Sequence, residues 1–553
     1  MAHGRFTPYI KPIFRQYIKT PQIMKFLSLL FSLLLALPAG AQSPYEGLDF
    51  EQIKKLQMAQ VAISSLYVDS VDQQKLTEDA INGMLEKLDP HSSYTNAKDT
   101  KKLNEPLSGN FEGIGVSFNM VKDTLLVLQV ISKGPCEKVG VLAGDRIIAV
   151  NGTAIAGVKM DRDSIMQKLR GPKGTIANLE VVRRGVSEVL RFKVVRDKIP
   201  VYTVDAAYMV NATTGYIHLD SFGATSGQEV HDKLLKLQKE GMKDLILDLS
   251  LNGGGYLNAA QEVASEFLPQ GSMIVYTDGR VMPRQELTAE GGGLMAGEGR
   301  LVILVDEFTA SAAEIVSGAV QDHDRGTIIG RRTFGKGLVQ RPIDLPDGSM
   351  IRLTVSHYYT PSGRCIQKPY VKGEKEAYSR DLEDRYTRGE LTSLDSIHLD
   401  STKVYKTLVK RRTVYGGGGI MPDIFVPIDT TAYTPMYRAL RRYNLINEHT
   451  LRYVDEHRKE LKKKYRTFDD YAAHFEVPAQ LTDSILAEGK RKKVEPKDDQ
   501  ELATTLDDLK FILKATIAYD LWERNEYFRL INERNDIFKR ALLFLKNEQE
   551  LTR

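Results

Sequence analysis

A serine and a lysine in one segment could together perform nucleophilic chemistry. The segment DEFTASAAEIVSGAVQDHDRGTIIGRRTFGKGLVQ, residues 306–340, contains Ser311 and Lys336, and no histidine stands where a catalytic triad would need one. The apolar run before Ser311 predicts a strand and the small residues after it predict a helix, so the hydroxyl lies at a helix N-terminus beside free backbone amides. Serine at such a junction is most often an N-cap, so a catalytic role depends on its neighbours.

Lys336 lies between Gly335 and Gly337. A lysine acts as a general base only when its amine is neutral, and burial in an apolar pocket lowers a lysine pKa by up to several units. A neutral Lys336 could then accept the proton of Ser311 as the hydroxyl attacks a carbonyl. Gln340 could hold the amine in place by a side-chain hydrogen bond. Taken alone, a lysine between glycines is more often a phosphate-binding or surface residue.

Three consecutive glycines, residues 253–255, follow the strand-like run DLILDLS. Glycines at this position let backbone amides point into the space beyond the strand end, which suits an anion or an oxyanion. A tight strand-to-helix turn is the alternative interpretation, because a run of glycines alone is weak evidence. Both this turn and the Ser311 turn directly follow a strand, and sites in open α/β sheets form beyond the carboxyl ends of strands. We therefore expect the two turns to meet at one edge of a sheet.

The region around these turns alternates between strands and helices. Helices are predicted over residues 227–240, over residues 257–267 and from near residue 311, each after an apolar strand-like run. This alternation predicts an α/β core with a largely buried parallel sheet.

Three further regions flank the core. Helical periodicity ends at Pro90, where Ser92 and Ser93 begin a loop; short β-type runs broken by glycine follow, with one helix over residues 163–169. Charged amphipathic helices follow Pro427, and the last long periodic segment is a packing or dimerisation element. The assigned regions are a signal peptide region, 1–41; an N-terminal helical region, 44–103; a β-rich domain, 104–198; the core, 199–369 and 413–430; an insertion in the core, 370–412; and a C-terminal helical region, 431–553.

The composition is that of a globular protein with several domains. Of 553 residues, 42% are hydrophobic and 27% are charged, and the net charge of +4 is not concentrated in a basic arm, which argues against nucleic-acid binding. The two cysteines, Cys136 and Cys365, are too few for a disulfide framework. The ten histidines form no metal-binding pair, so we expect no metal.

The N-terminus carries the pattern of a secretory signal peptide. Lys25 precedes a mostly apolar run over residues 26–37, and the small residues Ala39-Gly40-Ala41 follow. The run is shorter than the ~20 apolar residues that span a bilayer, which favours cleavage after Ala41 over a retained anchor. We expect translation to start at residue 24 and the mature protein to be exported to the periplasm or cell envelope.

Several motifs, in order, resemble the carboxyl-terminal-processing, or tail-specific, serine proteases. They cover about residues 48–427 and read GMLEKLDPHSSY, FEGIGVSF, AGDRIIAVNG, LRGPKGT, GYIHLDSF, LILDLSLNGGG, ASAAEIVSGAVQD, RRTFGKGLVQ, YYTPSGRCIQ and GIMPDIFVP. The resemblance implies a crotonase/ClpP-like α/β protease core. It also implies that Ser311 is the nucleophile, Lys336 the general base and Gln340 the residue that orients the lysine.

The same resemblance implies an oxyanion hole formed by two backbone amides. One amide is that of Ala312, and the other belongs to a glycine of the 253–255 run, for which the alignment of the last two glycines favours Gly254. The family usually has an arginine and a proline where this chain has Ser250 and Gly253, so the donating glycine is left open.

The β-rich region resembles the family's PDZ domain, which binds peptide C-termini. The resemblance implies that the amides of a loop receive a terminal carboxylate and that the following strand accepts the peptide as an added strand. Arg170 could help to read the carboxylate or gate the site. A structural β-domain and an ordinary surface arginine are the alternatives. The implied loop residues are Gly113, Ile114, Gly115 and Val116.

The resemblance therefore implies an exported serine endopeptidase that recognises unstructured protein C-termini and cleaves peptide bonds with a Ser-Lys dyad, without a cofactor. Its expected partners are protein or peptide substrates with exposed C-termini, together with an adaptor or activator protein and a second copy of the chain. A non-catalytic PDZ adaptor with a degenerate core is one alternative. An enzyme acting on acyl thioesters is another, disfavoured by export and by the absence of an acidic pair near the glycine turns.

Overall fold

The computed structural model describes residues 49–546. The chain divides into two compact units, Met1–Ala80 and Ile81–Arg553. No helix within the described range is long and apolar enough to cross a membrane. The predicted signal segment lies outside the described residues.

The N-terminal region is helical, as its periodicity predicts. Asp49 caps the first helix by accepting the N–H of Glu51, and no side chain of that helix is buried. The loop predicted at Ser93 is instead a short strand, because its backbone pairs with a strand of the core some 260 residues later. The elements are helices α1 (Phe50–Leu66) and α2 (Gln73–Glu86), strand β1 (Ser93–Thr95) and helix α3 (Ala97–Asn104).

The β-rich domain follows. Its main sheet is antiparallel, and the single longer helix buries Ile165 and Leu169 against the sheet, with Asp161 as its N-cap. The elements are β2 (Asn110–Gly113), β3 (Val116–Val121), β4 (Thr124–Val130), α4 (Pro135–Lys138), β5 (Arg146–Val150), β6 (Thr153–Ala154), α5 (Arg162–Leu169), β7 (Ile176–Val182), β8 (Leu190–Val195) and β9 (Asp197–Pro200). The main sheet has the order β3-β4-β5-β7-β8, while β2 pairs with β9.

The core begins with strands and helices that alternate as predicted. The elements are β10 (Val204–Met209), β11 (Thr214–Leu219), α6 (Ser226–Lys239), β12 (Asp244–Asp248), α7 (Leu257–Ser265), β13 (Met273–Asp278), β14 (Gln285–Thr288), β15 (Leu301–Val305), α8 (Ala312–Asp322), β16 (Thr327–Gly330), β17 (Leu338–Asp344) and β18 (Met350–Tyr359). Strands β11, β12 and β15 are buried along their whole length, as continuous apolar runs in a parallel sheet require.

The insertion contains a helix and the first strand of a short hairpin; the second strand of the hairpin and one further strand lie in the returning core segment. These elements are α9 (Lys375–Thr387), β19 (Val404–Lys406), β20 (Thr413–Tyr415) and β21 (Ile424–Phe425). The six-stranded core sheet then has the order β10-β11-β12-β15-β16-β21, parallel except for β10. A second, antiparallel sheet is formed by β1, β18, β13 and β14, with β17 paired to β18.

The C-terminal region is entirely helical as far as the structure describes it. The helices are α10 (Pro435–Arg442), α11 (Leu445–Lys464), α12 (Phe468–His474), α13 (Ala479–Arg491), α14 (Asp499–Leu521), α15 (Arg524–Ile531) and α16 (Asp536–Lys546). Most of them share their own hydrophobic core. Helix α16 instead packs Phe538 and Phe544 against sheet residues such as Tyr216 and Ile246. One face of the core sheet is therefore covered by α6, α7 and α8, and the other by α16.

Candidate active site

Ser311 lies at the turn between the buried strand β15 and helix α8, as the sequence predicts. Its backbone has φ 57° and ψ −116°, a left-handed conformation that costs a non-glycine residue about 1–3 kcal/mol. Two hydrogen bonds hold it there: its N–H donates to Glu314 Oε2 at 2.8 Å, and the Tyr358 hydroxyl donates to its carbonyl at 3.1 Å. The surrounding structure thus enforces a strained turn at the candidate nucleophile.

The glycine turn after β12 and the serine turn after β15 are bonded to each other. The Thr309 hydroxyl donates to the Leu249 carbonyl at 2.9 Å, and the Ala310 N–H donates to the Asn252 carbonyl at 2.9 Å. The N–H of Leu251 also donates to Asp306 at 3.1 Å. Because β12 and β15 are parallel neighbours, these bonds bring both turns to one edge of the sheet.

Lys336 lies between β16 and β17 and lines the same cavity as Ser311 and the three glycines, a space of about 350 Å³. Burial lowers the pKa of Lys336, and the charge of Arg352 lowers it further; Glu314 and Asp89 act in the opposite direction. Among the described residues the Lys336 amine makes no hydrogen bond or ion pair. Catalytic hydrogen bonds are often long before substrate binds, so this geometry is compatible with a base.

Glu314 joins the two candidate residues, and the sequence prediction missed it. Its side chain is fully buried, and its carboxylate accepts four hydrogen bonds. Oε2 accepts the N–H of Ser311 and the N–H of Lys336 at 2.9 Å, while Oε1 accepts the N–H of Gly335 and the Thr333 hydroxyl. Burial raises the pKa of Glu314 to about 7, and the donors offset part of that effect. The sequence contains a pattern that indicates part of this role, because a serine followed three positions later by a glutamate is the capping-box motif.

Gln340 lines the cavity, but its amide does not contact Lys336 in this structure. Its Nε2 donates to the Thr354 hydroxyl at 3.2 Å, and that hydroxyl donates to Asp89 Oδ1 at 2.8 Å. Burial alone would raise the pKa of Asp89, but hydrogen bonds led by those of Ser92 and Thr354 hold it below its usual value. Asp89, which lies in the turn before β1, is therefore linked through Thr354 to the residue predicted to orient the lysine.

The predicted oxyanion donors lie beside Ser311. Ala312 is the first residue of α8, so its N–H has no intrahelical partner. Gly254 has φ +95°, and a Cβ built there would come 2.7 Å from the Ser311 Cβ. Its N–H, however, donates to Asn252 Oδ1 at 2.8 Å, whereas the N–H groups of Gly253 and Gly255 have no acceptor in the described part of the chain. Which of the three glycines donates stays a prediction.

The predicted peptide-binding loop connects β2 to β3. Gly113 ends β2 and Val116 begins β3, with the buried residues Ile114 and Gly115 between them. The carbonyls of Ile114 and Gly115 accept bonds from neighbouring backbone, while their N–H groups donate to no acceptor within the described residues. Arg170 is the C-cap residue that follows α5. It forms an ion pair with Glu105 and lies over the ring of Phe111, so its guanidinium is already engaged outside the loop.

Comparison with known families defines the class of protein. The model for peptidase family S41 matches residues 213–376, and a PDZ-domain model matches residues 113–202. The N-terminal domain of the activating protease CtpB matches residues 38–100, and a family of unknown function (DUF8443) matches residues 436–523. This chain is a serine-type peptidase with a PDZ domain.

Relatives of known name identify its family. A carboxy-terminal-processing protease of Bartonella bacilliformis is 40% identical over 309 residues, covering 55% of this chain and 70% of the relative. The carboxy-terminal processing protease CtpA of Bacillus subtilis is 34% identical over 370 residues, covering 65% and 78%. Among solved structures, a photosystem II D1 C-terminal processing protease is 28% identical over 63% of this chain and 91% of its own, with a TM-score of 0.34. The chain belongs to the carboxy-terminal-processing protease family.

Proposed function

We propose that this chain is an exported endopeptidase that binds protein C-termini with its PDZ domain and cleaves peptide bonds with Ser311 and Lys336. The observation that carries the proposal is Glu314, whose one buried oxygen accepts the backbone N–H groups of both residues. This arrangement supports a fixed distance between nucleophile and base. Burial of Lys336 lowers its pKa, which supports a neutral amine at the pH of the reaction.

The reaction follows from these groups. Lys336 takes the proton of the Ser311 hydroxyl as the oxygen attacks the scissile carbonyl, and the negative charge that develops on the carbonyl oxygen is stabilised by the N–H of Ala312 and of one glycine. The lysine then gives its proton to the departing amine, which leaves an ester on the serine. Water attacks that ester with Lys336 again as the base, and the serine regains its hydrogen.

Gln340 enters the mechanism through the oxygen of its amide. Its Nε2 already donates to Thr354, so its Oε1 is left to accept a hydrogen bond from the Lys336 amine. A hydrogen bond of this kind directs the nitrogen lone pair toward the serine hydroxyl. Gln340 would therefore align the base, without taking part in proton transfer.

The test is cleavage of an unfolded protein by purified full-length variants. Ser311→Ala and Lys336→Met should each reduce kcat by at least about 1,000-fold, since loss of either member removes the attacking oxygen or its base. Ser317→Ala is the matched control, because Ser317 is a buried serine of the same helix whose hydroxyl donates only to helix carbonyls. If Ser311→Ala cleaved at the parent rate, the dyad would be ruled out.

The PDZ domain is proposed to receive the substrate terminus at the loop between Gly113 and Val116. The unbonded N–H groups of Ile114 and Gly115 support a carboxylate site there. Binding of a peptide to the Ser311→Ala protein by calorimetry should weaken at least about tenfold when the peptide C-terminus is amidated. Equal affinity for acid and amide would count against terminal recognition.

Export and self-association are also proposals. Sequencing of the mature N-terminus from an envelope fraction should give Gln42 as the first residue. Light scattering after size-exclusion chromatography should give twice the mass of one chain. An uncleaved N-terminus or a monomer mass would exclude the respective proposal.

A further inference from the structure

The candidate active site contains an arginine that the proposed reaction does not use. Arg352 lies on β18, where its backbone faces Ser93 of β1 on one side and Pro342 of β17 on the other. Its side chain is half-buried and lines the cavity that also contains Ser311 and Lys336. No aspartate or glutamate of the described chain lines this cavity. Arg352 therefore supplies a positive charge to this cavity, and no acidic side chain of the described residues that line it offsets that charge.

Two other arginines of the core are paired with an acidic residue, whereas Arg352 has no such partner within residues 49–546. Arg331 is paired with Glu307 at 2.6 Å, and Arg364 is paired with Asp322 at 2.7 Å with both side chains fully buried. Across the described residues, the Arg352 guanidinium has neither an ion pair nor a hydrogen bond. An arginine withdrawn from water usually has its five donors matched to a carboxylate or another acceptor. Its open donors are available to a group that arrives with the substrate.

The chemistry of the cavity indicates which substrate group would bind the Arg352 guanidinium. A planar guanidinium binds a carboxylate through two parallel hydrogen bonds, which gives both affinity and direction. An aspartate or glutamate of the protein could also occupy these donors of Arg352, but its permanent negative charge would favour the charged form of the nearby Lys336. Arg352 has the opposite effect, because its positive charge helps to lower the pKa of Lys336.

We propose that Arg352 binds a carboxylate of the substrate close to the scissile bond and makes the enzyme prefer substrates that carry one there. The carboxylate is either an aspartate or glutamate side chain or the end of the chain itself. This specificity rests on the proposed Ser311 and Lys336 chemistry. It is separate from terminal recognition at the PDZ loop, which belongs to another domain.

The experiment measures kcat/KM of the full-length protein on four peptides of one parent sequence. Two peptides have an amidated C-terminus and differ only in glutamate or glutamine beside the scissile bond. The other two have glutamine at that position and end at the same distance from the scissile bond as the glutamate carboxylate of the first pair. They differ only in having a free or an amidated C-terminus. A preference in the first pair identifies a side-chain carboxylate, and a preference in the second identifies the chain end.

The parent should favour the carboxylate peptide of at least one pair by about 10- to 100-fold, the range expected for hydrogen bonds to a charged group. Arg352→Gln should reduce that preference to less than about twofold, and Arg352→Lys should restore part of it. The matched control is Arg341→Gln, an exposed arginine on the neighbouring strand β17 that does not line the cavity. This control should keep the full preference.

A pH profile separates binding from a purely electrostatic effect on the lysine. A bound carboxylate neutralises Arg352, so the pKa of Lys336 should rise and the kcat profile should move to higher pH with the carboxylate peptide than with its neutral analogue. Arg352→Gln should show no such difference. The proposal is overturned if the parent has no preference in either pair, or if Arg352→Gln keeps the preference, whether or not the variant also slows all four peptides. Activity of Ser311→Ala would instead overturn the dyad.

Discussion

Replacing Glu314 by glutamine tests whether one buried carboxylate sets the geometry of the dyad. The substitution keeps the size of the side chain and exchanges one oxygen for an NH₂ group, which donates instead of accepting. The carboxylate accepts two hydrogen bonds on each oxygen. The amide can satisfy only one of these pairs.

The structure indicates which pair is kept. If the amide oxygen faces Ser311 and Lys336, the NH₂ group meets the Thr333 hydroxyl and the Gly335 N–H. The hydroxyl can turn to accept, although it already accepts the N–H of Ile420 at 2.6 Å. Only the Gly335 N–H is then left without an acceptor. If the side-chain amide is turned the other way, the backbone N–H groups of both Ser311 and Lys336 have no acceptor.

The expected loss of stability follows from this count. One buried donor without an acceptor costs about 1–3 kcal/mol, and exchanging two charge-assisted bonds for neutral ones costs about 1 kcal/mol each. Glu314→Gln should therefore lower the free energy of unfolding by about 3–5 kcal/mol. Glu314→Ala would strand all four donors, a cost of about 4–12 kcal/mol that approaches the whole stability of a domain, so glutamine is the informative change.

The measurements are urea unfolding followed by circular dichroism and, at a temperature where the variant is folded, kcat and KM on an unfolded protein. A displacement of the dyad by about 1 Å should lower kcat by about 10- to 100-fold with little change in KM. Glu229→Gln is the control, because Glu229 accepts the N–H groups of Thr203 and Val204 and does not line the cavity. It should lose stability and keep kcat. A Glu314→Gln protein with kcat within twofold of the parent would refute the positioning role.

Three further outcomes follow from the same geometry. Because burial lowers the pKa of Lys336 and only the neutral amine is a base, kcat/KM should rise with pH through a midpoint below 10.5; a midpoint at or above that value would contradict the role. Thr354→Val removes the hydroxyl between Gln340 and Asp89 and should lower kcat about 3- to 10-fold at unchanged KM, whereas an unchanged kcat would show that this link is dispensable. Gly254→Ala should abolish measurable turnover, because a Cβ there meets the Ala310 carbonyl at 2.8 Å in a left-handed backbone. Gly253→Ala should keep its activity, because beyond its chain neighbours no atom of the described residues lies within 4 Å of the added Cβ.

The alternation of strands and helices in the core could be predicted because its apolar runs are local signals. The observed helices Ser226–Lys239 and Leu257–Ser265 differ from the predicted ones by one or two residues at their ends. Strand β1 could not be predicted, because SYT has no strand period and its pairing is with a distant strand. The last periodic segment was predicted to be a packing or dimerisation element, and the structure divides it into α14, α15 and α16. Its amphipathic pattern does not say that α16 covers a face of the core sheet.

Some features of the candidate site could likewise be predicted from the sequence, and others could not. Ser311 and the glycine turn follow strands directly, so their convergence could be derived from the general geometry of parallel sheets. The bonds of Gly254 to Asn252 and of Gln340 to Thr354 could not, because each depends on the rotamer of a side chain. The sequence spacing of Ser311 and Glu314 indicates a capping pair. The hydrogen bond from the Lys336 N–H to Glu314 joins segments that only the tertiary fold brings together.

The position of Glu314 shows how the proposed site can contain a carboxylate that does not pair with the Lys336 amine. A glutamate paired with the Lys336 ammonium would raise the pKa of the amine and remove the base. Here the carboxylate binds the backbone N–H of the lysine, and no ion pair joins the two side chains among the described residues. Its negative charge still favours the protonated amine, but burial and the charge of Arg352 act against it. The glutamate thus fixes where the lysine backbone lies, and in the proposed mechanism the amine is left to accept the proton of Ser311.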